Sequence, residues 1–220
     1  METLTEARDK ILIEITSDDR DVRNEYLKRF EGQAKSFSAA MGEAVMVWRS
    51  LDGQVGQNEK FAYVSGLVYT AITLQILSMK LLLSGQPVAA GNLFRQVLES
   101  IALALLCSSK DLDVLRRFMD EKYLTNNAIR DVLRHRKRLG LLGEGVKVLE
   151  KAQMFYHKLS HPTKFTIAYV MSFSTKDLYV GASFDEGKVF AYAKEIKGRI
   201  GLANVFPNFV QAVKANVAKW

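Results

Sequence analysis

The chain is short of cysteine, histidine and proline. Of 220 residues only one is cysteine, three are histidine and three are proline, while glycine accounts for 14. A lone Cys107 can form no internal disulfide and leads to no disulfide-linked partner, and with three histidines it leaves little material for a metal centre. No metal or other cofactor is expected. So few prolines and glycines do not supply the many turns of an all-β sandwich. There is no glycine-rich phosphate loop, Walker pattern or Gly-x-Ser-x-Gly elbow. The opening Met1-Glu-Thr-Leu-Thr-Glu has neither a basic nor an apolar stretch of the secretory kind, so the expected compartment is the cytoplasm. The longest uncharged run, 61–79, is interrupted by Tyr63, Ser65, Tyr69, Thr70, Thr73, Gln75 and Ser78. It reads as a buried bundle helix, and no membrane association is expected.

What remains is ordinary globular material, 48% apolar and 25% charged, enough for one large domain or two small ones. The net charge of +7 is lopsided: residues 1–110 sum to −1 and residues 111–220 to +8. The excess is densest where Arg130, Arg134, Arg136, Lys137 and Arg138 face only Asp131. Such a run can draw a polyanion by counterion release, and it is also what a solvated helix face looks like.

Helix signals follow one another through the first three quarters of the chain. Thr3 and Glu6 have capping-box spacing ahead of a short helix with Leu4, Ala7, Ile11 and Ile15 along one side. Ser17-Asp18-Asp19 introduces a long amphipathic helix marked by Tyr26, Phe30, Gln33, Phe37, Ala40, Ala44, Val47 and Leu51, ended by Asp52-Gly53. A third helix over about 59–84 stops at Ser84-Gly85-Gln86-Pro87, and a fourth over about 87–107 is apolar nearly all round, as befits a central helix. A fifth should end near Leu124, a sixth should carry the basic run up to Gly140 and Gly143, and a seventh should span about 145–160 before His161-Pro162. Ile167, Tyr169, Met171 and Phe173, then Leu178, Val180, Ala182 and Phe184, alternate on either side of Ser174-Thr175-Lys176-Asp177, which predicts a β-hairpin. A last helix resumes at Val189, Ala193, Ile196, Ile200 and Ala203, and Pro207 should kink or split it. The expectation is therefore a mainly α, up-down multi-helix bundle of long antiparallel helices, one domain over 1–220. Within it, 1–58 would be N-terminal helices, 59–165 the central bundle, 166–186 the hairpin and 187–220 the C-terminal helix.

Four groups of residues could carry chemistry. Arg95 and Glu99 stand four apart on the central helix, either as a structural ion pair or as a polar site holding an anion. Tyr156, His157 and His161 cluster at the end of the seventh helix. The two histidines have metal-ligand spacing but no acidic residue in that turn, so His161 is expected to bond a free carbonyl at the helix end, or else to reach the Arg95/Glu99 face. Together Arg95, Glu99, Tyr156, His157 and His161 are the candidate ligand-binding set. Cys107 reads as an inert packing residue. The junction at 124–127 allows a helix-turn-helix but carries no decisive signature of one.

Arg130 and His135 have the spacing Arg-x4-His, and here the chain resembles the HEPN superfamily of small helical bundles, many of which are metal-independent ribonucleases acting as homodimers. The resemblance implies a catalytic pair in which His135 serves the ribose hydroxyl or leaving oxygen and Arg130 clamps the phosphate. Asp131 stands where the family often has Asn, and 85 residues follow His135, whereas the motif normally sits close to the last helix. Over roughly 60–185, Leu93-Phe-Arg-Gln-Val-Leu-Glu99 followed by Tyr156-His-Lys-Leu-Ser-His-Pro162 is also similar to uncharacterised bacterial helical proteins, some thought to be distant HEPN relatives. That likeness implies Arg95, Glu99 and His161 as the alternative site. Two functional readings stand side by side: a homodimeric interaction or small-ligand-binding protein without catalysis, and a HEPN-like RNA-cleaving toxin or defence effector. Binding of nucleic acid through 130–138 without cleavage is a third.

Overall fold

The computed structural model describes residues 3–56, 58–141, 143–159, 161–175 and 178–220, with backbone alone at 143–145. Among them the chain is mainly α-helical: α1 (Leu4–Thr16), α2 (Arg20–Asp52), α3 (Glu59–Leu83), α4 (Pro87–Cys107), α5 (Val114–Met119), α6 (Ala128–His135), α7 (Gly143–His157), α8 (Lys164–Val170) and α9 (Val189–Val217).

Local chemistry sets these boundaries. The Thr3 hydroxyl accepts from the Glu6 amide while the Glu6 carboxylate accepts from the Thr3 amide at 2.7 Å, which completes the capping box of α1. α3 ends in a Schellman turn: Gln86 N–H donates to Leu81 O and Gly85 N–H to Leu82 O, with Gly85 at φ +77°. Pro87 then opens α4, so the chain returns after three residues and α4 lies along α3. α2 packs on both α3 and α9, and α6 and α7 cover the other side of α4. α4 contributes an unbroken buried run from Ile101 to Cys107, as its all-round apolar sequence requires. Gly91 lets α7's end approach it, since a Cβ there would lie 2.2 Å from Leu159 Cδ1. By length and composition α3 and α4 could each cross a membrane; here they form the bundle centre, packed on one another.

Two sequence expectations need correction, and one alternative of a third is excluded. The β-hairpin at 166–185 is not formed: among the described residues there is no strand, only an isolated antiparallel bridge between Met171 and Leu178. Residues 164–170 are helical because Thr163 caps them, accepting from Phe165 N–H while Thr166 Oγ1 accepts from Thr163 N–H. Beyond them the Asp185 carboxylate takes a backbone donor that a ladder would need, accepting from Phe173 N–H at 2.6 Å, and it also accepts from the Ser174 hydroxyl. Lys176 and Asp177 of the expected turn lie outside the described residues. Pro207 does not split α9, which runs through it. Buried Phe206 and Val210 on either side hold the helix against its neighbours despite the missing donor. The fifth helix is also shorter than expected, stopping at Met119, where Glu121 adopts φ +57°.

Candidate functional site

At the centre, α9 turns two charged groups inward. Arg199 is fully buried and Glu195 nearly so, four residues apart on one face. Arg199 Nη1 donates to Glu195 Oε2 at 2.7 Å and Nε donates to Ser78 Oγ at 2.9 Å, while the Ser78 hydroxyl donates to Ala90 O. Tyr156 of α7 donates to Glu195 Oε2 at 2.9 Å, and Gln75 donates to Arg199 O. The guanidinium lies 4.9 Å from the Phe94 ring centre. Arg199 Nη2 finds no hydrogen-bond partner among the described residues. Burial lifts the Tyr156 phenol above its ordinary range, with Arg199 opposing and Glu195 adding. Four elements, α3, α4, α7 and α9, thus meet at one buried ion pair, which orients the helices around it.

Sequence inspection did not single out Arg199 or Glu195. The signal was their i, i+4 spacing in step with Tyr192, Ile196, Ala203 and Phe206, all buried. Nor did it find the knot at Asp185 and Lys188. Burial works against the Asp185 charge, yet hydrogen bonds from Ser174 and the amides of Phe173 and Gly187 hold its carboxyl below the usual range. Lys188 donates to Tyr169 O and sits over the rings of Phe173 and Tyr179.

The expected site residues are distributed as follows. Arg95 Nε donates to Glu99 Oε1 at 2.9 Å, with the side chains 23% and 17% exposed, so the pair is formed and mostly covered. Tyr156 belongs to the Arg199 cluster, whereas His157 and His161 are exposed, with their rings 4.4 Å apart. The carbonyl beyond α7, that of Lys158, accepts from Thr163 Oγ1, which fills the capping role expected of His161. Among the described residues no three acidic, histidine or cysteine groups are placed to hold a metal ion. Burial pushes the Cys107 thiol up to about 12, in keeping with a packing role.

Arg130 and His135 share α6, but five residues of helix turn them roughly 140° apart. Buried Ala128, Ile129 and Val132 fix the inner face of α6, so Arg130 and Arg134 point outward. Both lie at the limit of ion-pair range from Asp131, at 3.9 and 3.8 Å, and Asp131 also accepts from Tyr123, over which Arg117 sits. Arg136, Lys137 and Arg138 continue this basic surface along a groove of about 520 Å³ that they line with Leu133, Arg134 and His135.

A second surface is apolar. α1 has no buried residue, and Leu4, Ile11, Leu12, Ile13 and Ile15 are each more than half exposed. Glu14 ties α1 to the chain's own 178–185 segment by accepting from Ala182 N–H at 2.9 Å. In that segment and the one before it, Ile167, Phe173, Leu178 and Val180 are also more than half exposed. Large apolar side chains exposed in contiguous patches are uncommon on soluble single-copy proteins. Compared with protein-family models, curated proteins and solved structures, the chain matches none.

Proposed function

We propose that this chain is a cytoplasmic helical-bundle protein that acts by association rather than by catalysis, with a second copy of itself as first partner. The observation that carries this reading is α1, a helix whose large apolar side chains are all exposed. A helix that gains nothing from its own core is retained at no benefit unless something covers it. Burying one isoleucine contributes about 1.5–3 kcal/mol. Light scattering on the purified chain at micromolar concentration should therefore show a dimer. The Ile11→Asp/Ile15→Asp variant should weaken dimerisation by about a hundredfold or more, with the chain's own fold unaffected. A wild type that stays monomeric at every concentration overturns the reading.

A second reading is favoured by the basic surface of α6 and the turn that follows it: non-catalytic binding of RNA or another polyanion through Arg130, Arg134, Arg136, Lys137 and Arg138. Retention on RNA should fall steeply with salt. Arg134→Gln/Arg136→Gln/Arg138→Gln should flatten the log–log salt slope by up to about 3, at close to one per phosphate contact. If instead the wild type cleaves RNA in EDTA and His135→Ala or His161→Ala abolishes cleavage at unchanged thermal stability, the HEPN-like ribonuclease reading replaces both.

A further inference from the structure

Where α4 ends, the chain leaves a cavity of about 330 Å³ that none of the candidate sites includes. Buried Cys107 and Leu115 line it beside half-buried Trp220. The indole is pinned in place: its Nε1 donates to Ser108 O at 2.8 Å, and its ring centre lies 6.3 Å from that of Phe61 at the start of α3. With its one donor engaged, Trp220 offers the cavity apolar surface only. The volume falls at the lower end of the about 300–1,000 Å³ of small-molecule sites.

The polar lining is cationic. Lys60 from α3, Lys110 from the 3-10 turn Lys110–Leu112 and Arg116 from α5 face one carboxylate, that of Asp113. The carboxylates next in sequence, Glu59 and Asp111, do not line the cavity. Arg116 already holds Asp113 by two bonds, Nε to Oδ1 at 2.7 Å and Nη2 to Oδ2 at 2.6 Å. Among the described residues the Lys60 and Lys110 ammonium groups have no hydrogen-bond or ion-pair partner. Nor does the end of α4 engage them: the carbonyls of Ala104, Leu105 and Leu106 accept from Ser108 N–H, the Ser108 hydroxyl and Ser109 N–H. Lys60 also stands in the first turn of α3, where the helix carries partial positive charge of its own and a cation is disfavoured. A surplus of two positive charges therefore borders an apolar wall.

We infer that this cavity binds a small phosphomonoester with a flat apolar body, an aromatic phosphate being the simplest case. Near neutral pH a phosphomonoester carries close to two negative charges, which match the surplus, and its three free oxygens accept from ammonium groups in charge-assisted bonds. The Ser109 hydroxyl, on the same lining, supplies a further donor. Trp220 and Leu115 cover the flat body, a gain that a bare phosphate ion does not have. The groove beside α6 has comparable charge but only Leu133 as an apolar liner, so it gives an aromatic body nothing to lie on.

Equilibrium dialysis of the full chain against phenyl phosphate tests this, with inorganic phosphate and phenol as the two halves of the probe. Phenyl phosphate should bind with a Kd below about 1 mM, and each half at least about tenfold more weakly. Lys60→Gln/Lys110→Gln, at two exposed positions, should weaken phenyl phosphate at least about tenfold with thermal stability unchanged. Arg134→Gln/Arg136→Gln/Arg138→Gln should leave its binding as it is. The inference is overturned if phenyl phosphate at about 5 mM is not retained, if inorganic phosphate or phenol binds as tightly, or if the lysine variant keeps the probe, whichever other variant loses it. The site goes beyond the self-association reading and is separate from α1. Ile11→Asp/Ile15→Asp should therefore bind the probe like the wild type, and a chain that proves monomeric leaves this result standing.

Discussion

Replacing Arg199 by methionine is expected to lower the unfolding free energy by about 3–5 kcal/mol, because it leaves the Glu195 carboxylate in a dry interior without its cation. For a chain of this size that corresponds to a fall in Tm of about 6–20 °C. Arg199 is fully buried, its guanidinium bonds Glu195 and Ser78, and it stacks over Phe94. Tyr156 would remain as a neutral donor to Glu195, which offsets only a part of the lost charge pairing. Glu195→Met should destabilise in the same direction, since it strands the cation. The double variant Arg199→Met/Glu195→Met should recover most of the loss, because a buried pair exchanged for well-packed apolar residues is often neutral. Thermal unfolding followed by circular dichroism on the two single variants and the double one closes the cycle. Single variants within about 1 kcal/mol of the wild type would mean that the pair contributes little to helix orientation.

The cluster also shows which parts of this molecule could be read from sequence. Helix ends marked by chemistry within a few residues were legible: the Thr3–Glu6 box, the Asp52–Gly53 stop, and the Gly85–Pro87 punctuation that makes α3 and α4 neighbours. So was the Arg95–Glu99 pair, because i, i+4 spacing on one helix is a local fact. Long-range chemistry was hidden. Apolar periodicity traced α9 through Val189, Ala193, Ile196, Ile200 and Ala203, of which Ile196 and Ala203 are buried, but it passed over Tyr192, Glu195 and Arg199, which lie on the same core-facing ridge. Polar residues on a buried ridge cannot be told from polar residues in water until their partners, here Ser78 and Tyr156, are placed beside them. The same holds for 166–185. Alternation there mimicked strands, and the competing acceptor, the Asp185 carboxylate, lay eleven or more residues from the donors it satisfies. Arg130 and His135 show the opposite relation: close in sequence, they diverge around α6.

Gly85→Ala, in the buried turn between α3 and α4, should destabilise by about 2–5 kcal/mol from two separable costs. The first is conformational. Gly85 holds φ +77°, and a Cβ in that region costs about 1–2 kcal/mol. The second is steric, because the new Cβ would lie 2.5 Å from Val22 Cγ1 and 2.7 Å from both the backbone nitrogen and oxygen of Ser183. A side-chain methyl can rotate away, but the Ser183 backbone is itself bonded to Gly85 O at 3.2 Å and must move as a segment. Gly140→Ala isolates the first cost. Gly140 also ends a helical stretch, at φ +67°, with nothing within 4 Å of its would-be Cβ, so it should lose only about 1–2 kcal/mol. The excess of Gly85→Ala over Gly140→Ala in denaturant unfolding then measures how firmly 183 is docked against the α3–α4 turn. That docking matters because the same segment, one residue earlier, receives Glu14 of α1. If the two alanine variants are equally destabilised, the 178–185 segment yields freely and cannot be what holds α1 in its projecting position. If Gly85→Ala shows the excess and also weakens dimerisation, α1 is presented to its partner by that segment.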